Sequence, residues 1–86
     1  MMNIEDYRKK IDEIDAEILS KLEERFEVAI KIGECKKESG APILDSEREW
    51  QKLEALEAIA NPEFAEYDLD VFEAIIAASR AIQENE

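Results

Sequence analysis

Apolar residues recur along the first part of the chain in steps of three and four: Ile11, Ile14, Ile18, Leu22, Ala29 and Ile32 share one stripe. That period belongs to a helix that buries one face. The stretch from Ile4 to about Lys37 holds no proline, and its one glycine, Gly33, stands near the far end. It predicts a single helix of about 34 residues, hence about 50 Å long at ~1.5 Å per residue. Asn3 is its expected N-cap, with Glu5 and Asp6 in the first turn where the helix dipole favours acids. The stripe is not purely apolar. It also passes through Arg8, Asp15, Arg25 and Lys36.

Ser39-Gly40-Ala41-Pro42 ends this helix, since Gly40 can adopt the left-handed capping conformation and Pro42 cannot continue a helix. A short connection through Ile43 and Leu44 leads to Asp45-Ser46-Glu47-Arg48-Glu49. Ser46 and Glu49 have capping-box spacing, and Asp45 is the alternative cap. Leu53, Leu56 and Ile59 supply the apolar face of this second helix. It should stop near Asn61-Pro62, because a residue before proline avoids helical backbone. Residues 63–67 read as a linker and Asp68 as the cap of a third helix. The stripe of that helix runs through Phe72, Ile75/Ile76, Ser79 and Ile82/Gln83. The predicted architecture is all-α: one long, one short and one medium helix, in a single domain over residues 1–86.

Size makes the long helix a problem for an isolated chain. A compact domain of 86 residues has a radius of gyration of about 12 Å and a diameter near 30 Å. A ~50 Å helix overhangs it and exposes its seam. The helix must protrude, bend or be covered by a second copy of the chain, and an intertwined oligomer such as a homodimer is therefore expected.

Apolar residues at 45% and charged residues at 40% suit an ordered helical domain. The net charge of −12 makes nucleic acid and anionic membranes poor partners. No apolar run approaches membrane-spanning length and no export signal is apparent, so the expected location is cytoplasmic. Cys35 is the only cysteine and reads as a small packing residue. The absence of histidine removes imidazole-based catalysis and the usual zinc sites.

The polar residues on inward stripes carry the chemistry. They are Arg8, Arg25 and Lys36 on the first helix, Glu49 on the second, and Ser79 and Gln83 on the third; Arg48 and Asp45 sit at the start of the second helix. Each has a plain structural reading. Arg8 can snorkel at a helix end, Arg25 can pair with an internal glutamate, and Glu49 can be only a capping acid. Ser79 can be a small packing residue, and Asp15 a salt-bridge partner. As a set they are harder to dismiss, because isolated charges are costly to bury and cations here outnumber acids within an acidic chain. Arg8 and Arg25 lie about 25 Å apart along one axis, too far to grip one small ligand. In an antiparallel two-fold pair, Arg8 of one copy can approach Arg25 of the other. Arginine matches carboxylates with two parallel hydrogen bonds, so the expected ligand is a small dicarboxylate.

The ordered set Arg8-x-x-Ile11-x-x-Ile14-Asp15-x-x-Ile18-Leu19, Glu24-Arg25, Lys36, Pro42-x-x-Asp45-x-x-Arg48-Glu49 and Ser79-x-x-x-Gln83 resembles the all-helical (AroQ-class) chorismate mutases over nearly the whole chain. The resemblance implies a dimer that rearranges chorismate to prephenate without a covalent intermediate, cofactor or metal. It implies that Arg25, and Arg8 from the other chain, bind carboxylates, with Arg48 and Ser79 completing the surroundings. It implies that Lys36 and Gln83 donate to the ether oxygen. Glu49, with Asp45 nearby, would accept from the ring hydroxyl. Isochorismate pyruvate-lyases share the fold but tend to lack acids at the positions of Asp45 and Glu49. A non-catalytic dimerisation or regulatory module would not need the full cationic set.

Overall fold

The structure is a computed structural model that describes residues 1–85; Glu86, part of the expected domain, lies outside the described residues. Those residues form three α-helices and no strand: α1 (Ile4–Ser39), α2 (Ser46–Ile59) and α3 (Ala65–Asn85). None is long and apolar enough to cross a membrane.

The ends of α1 follow from its sequence. The Asn3 side chain accepts from the Asp6 amide and the Asp6 carboxylate accepts from the Asn3 amide, closing a capping box. At the other end Gly40 takes φ 74°, and its N–H returns to the Lys36 carbonyl. A side chain there would meet the steric cost of left-handed backbone.

Two expected boundaries are corrected. Asp45, not Ser46, caps α2, accepting from the Arg48 amide at 3.0 Å. Ser46 is already helical, so no Ser46–Glu49 capping box forms and the Glu49 side chain turns elsewhere. The linker expected at 63–67 is also shorter. Asn61 accepts from the amides of Glu63 and Phe64, and this turn around Pro62 starts α3 at Ala65. Asp68 therefore stands inside the first turn, its amide bonded to the Phe64 carbonyl, rather than at the cap. Cys35 is exposed rather than packed, and Asp15 makes no ion pair among the described residues.

α3 is the central element: α1 packs on it along one side and α2 on another, while α1 and α2 do not pack together. The α1–α3 crossing is built from small residues, with Ala29 and Gly33 facing Ile76 and Ser79, all buried. A Cβ at Gly33 would lie 3.1 Å from Gln83 Cγ and 3.4 Å from Gln83 Cα, so glycine lets α3 come close enough to bring Gln83 beside Lys36.

The rest of α1 has little to lie against. Ile11, Ile14, Ile18 and Leu19 are each at least half exposed, and among the described residues no large side chain is fully buried. The chain measures 58 × 26 × 15 Å with a radius of gyration of 16.2 Å, against about 12 Å for a compact fold of this length. Its accessible surface is 7052 Å², while a compact monomer of 9.9 kDa exposes about 5,200 Å².

Candidate active site

A cleft of about 380 Å³ opens where the second half of α1, the start of α2 and the end of α3 meet. Each wall comes from a local rule. The helical period of α1 turns Arg25, Ala29, Ile32 and Lys36 toward α3. The Asp45 cap fixes the entry of α2 and sets Arg48 and Glu49, in its first turn, at the rim. On α3, Ile76, Ser79 and Gln83 recur at three- and four-residue spacing along the floor.

Arg25 donates to Ser79 Oγ at 2.5 Å, and Ser79 Oγ in turn donates to the Ile75 carbonyl at 2.9 Å. The serine hydroxyl is thereby oriented as an acceptor for the guanidinium, and most of the five guanidinium donors remain available. Lys36 Nζ donates to the Ile43 carbonyl at 2.7 Å and to Gln83 Oε1 at 3.4 Å. Lysine is donor-only, so the amide oxygen of Gln83 must face it, leaving the amide NH₂ and the third ammonium proton for another acceptor. No carboxylate among the described residues lies within ion-pair distance of Arg25, Lys36 or Arg48. Five cations and two carboxylates line the cleft of a chain whose net charge is −12. Its local charge thus opposes that of the molecule.

Of the residues singled out in the sequence, Arg25, Lys36, Asp45, Arg48, Glu49, Ser79 and Gln83 come together here. Arg8 does not. It is exposed near the start of α1 and pairs with Glu5 one turn away. Arg25 has no glutamate partner among the described residues. Two charged cleft residues stand outside the set read from the sequence: Lys52 on α2 and Arg80 on α3. Lys52 follows Arg48 by four residues, and Arg80 stands four after Ile76 and three before Gln83, so helical spacing carried a signal for both. The Arg80 guanidinium donates to both oxygens of Glu49. That bond and the carboxylate charge hold its pKa above the ordinary arginine value.

Fold and cleft define an all-helical protein whose inter-helix pocket suits a small anion. The family described as chorismate mutase type II matches residues 7–84, and the chain belongs to that family and thus to an enzyme class of isomerases. A chorismate mutase of Methanocaldococcus jannaschii is 33% identical over 78 residues, covering 88% of this chain and 79% of that protein. A bifunctional chorismate mutase/prephenate dehydratase of Aquifex aeolicus is 43% identical over 56 residues, covering 65% of this chain but 16% of its own length. No solved structure matches the chain at a significant level.

Proposed function

We propose that this cleft is where the chain rearranges chorismate to prephenate, in the biosynthesis of phenylalanine and tyrosine. The observation that carries the assignment is the trio Arg25, Lys36 and Arg48: cleft cations with no carboxylate partner among the described residues, beside a neutral Gln83. The reaction breaks a C–O bond and forms a C–C bond within one molecule, so the protein's work is to hold a compact reactive conformer and stabilise developing charge. Arg25, oriented by Ser79, and Arg48 would take the substrate's carboxylates. Lys36 and Gln83 present donors to the ether oxygen, where negative charge builds as the bond breaks. Glu49 would accept from the ring hydroxyl; Asp45 Oδ1 caps α2 and the Asp45 carbonyl already accepts from the Glu49 amide, so Asp45 would assist only through that carbonyl's second lone pair.

The second half of the proposal is a homodimer. The isolated chain exposes about 1,900 Å² more surface than a compact monomer of its mass, and its exposed apolar residues include Ile11, Ile14, Ile18 and Leu19 along α1. An area of that order per protomer is typical of obligate dimers. In an antiparallel pair, Arg8 of one protomer reaches the cleft of the other and completes the carboxylate binding. A cytoplasmic location agrees with this metabolic role.

The test follows loss of chorismate absorbance for wild type and Arg25→Ala, with equilibrium sedimentation of both. Saturable conversion to prephenate by a species of twice the 9.9 kDa chain mass, lost in the variant, supports the proposal. A folded protein without turnover, or an active monomer, overturns one half of it or the other.

A further inference from the structure

Of the ion pairs among the described residues, three lie within α1 between residues three apart; only Arg80–Glu49 joins two helices. It spans the cleft wall from α3 to α2. One guanidinium nitrogen, Nη1, donates to both carboxylate oxygens at 2.7 Å each, and the side chains are 31% and 27% exposed. A pair this enclosed is screened less than the exposed pairs along α1.

We propose that Arg80 is a positioning residue for the rearrangement, holding the Glu49 carboxylate so that a free lone pair faces the ring hydroxyl of the substrate. The proposal rests on the role given to Glu49 above. A glutamate in the first turn of a helix otherwise samples several rotamers, and ordering it on binding loses entropy. Arg80 meets that loss before substrate arrives, so the acceptor is preorganised. It does so without consuming the acceptor. A carboxylate has about four lone-pair directions, and Arg80 engages one on each oxygen. Arg80 thus acts through Glu49 and touches no reacting atom. It also ties the α2 rim to the same helix that carries Ser79 and Gln83, fixing the hydroxyl acceptor relative to the ether-oxygen donors.

The test compares wild type, Arg80→Met, Glu49→Gln and the double variant. Each is assayed with chorismate and with an analogue that lacks the ring hydroxyl but keeps the breaking ether bond. Folding is checked by circular dichroism. Arg80→Met should lower kcat/KM for chorismate about tenfold, as expected for a lost hydrogen bond to a charged group. The loss should disappear with the analogue and in the Glu49→Gln background. Equal loss on both substrates would show a merely structural role and overturn the proposal. Full activity of Arg80→Met beside an impaired Glu49→Gln would overturn it while leaving Glu49 in place. Wild-type activity of Glu49→Gln on chorismate would show that a neutral amide acceptor serves as well, and would overturn the need for a carboxylate held by Arg80. If Arg80→Met does not fold, Arg80→Lys replaces it. A smaller loss confined to the hydroxylated substrate is then the supporting result, and a loss shared by both substrates, or none, is the refuting one.

Discussion

Replacing Gly33 with alanine puts one methyl group into the α1–α3 crossing. It would stand 3.1 Å from Gln83 Cγ, 3.3 Å from Cβ and 3.4 Å from Cα. Carbon atoms rest at about 3.5–4.0 Å, so the contact asks for a retreat of roughly 0.4 Å. Rotation about the Gln83 side chain moves Cγ but neither Cβ nor Cα, so the α3 backbone itself must give way. Two effects then oppose each other in stability. Alanine in a helix interior is favoured over glycine by about 1 kcal/mol, while overpacking costs about 1–3 kcal/mol. The net loss is at most about 2 kcal/mol. Catalysis has no such compensation. The Lys36–Gln83 contact is already long at 3.4 Å, and misplacement by ~1 Å can cost about 100-fold. A shift of roughly 0.4 Å then lowers kcat about sixfold by the same scaling. The assay is chorismate consumption over a range of concentrations, with thermal unfolding measured in parallel. Wild-type kcat in a variant whose melting temperature has fallen would refute the claim that close approach at Gly33 places Gln83 for catalysis.

Lys36→Ala should lose about 3–4 kcal/mol of transition-state stabilisation in kcat/KM, while Lys10→Ala, on the exposed face of α1, should match wild type in the same assay. Asp45→Ala should lower unfolding free energy by about 1 kcal/mol through loss of the α2 cap, and Asp45→Asn should retain most of it; denaturant titration distinguishes them. The rate should stay level between about pH 6 and 8, because Gln83 carries no proton to lose and the chain has no histidine; a pH–rate profile that collapses in that window would contradict donation by a neutral amide.

The helices were legible because their signals are local. Asn3 with its two following acids, Gly40 before Pro42, and the three–four stripe of α1 need only neighbouring residues to act. Where two local signals competed, the sequence left the choice open. Ser46 with Glu49 and Asp45 with the Arg48 amide are both sound caps, and the difference lies in where Glu49 finds its partner. That partner, Arg80, is 31 residues away. The start of α3 was misplaced for a similar reason: Asn61 supplies the turn around Pro62 and makes the cap at Asp68 unnecessary.

Cations on the inward stripes were visible because a charge recurring on an apolar face conflicts with burial unless something holds it. Polar residues on those stripes, together with Asp45 and Arg48 at the start of α2, take in seven of the residues that line the cleft, and also Arg8, which does not. The pattern could not say which charges are free. Arg25 leans on Ser79 and not on an acid, Lys36 on a carbonyl and an amide, while Arg80, on the flank of its helix, takes the cleft's glutamate. Residue spacing defines a face of one helix, but pairing across a cleft depends on how far apart three helices come to rest. Here packing at a glycine decides that distance.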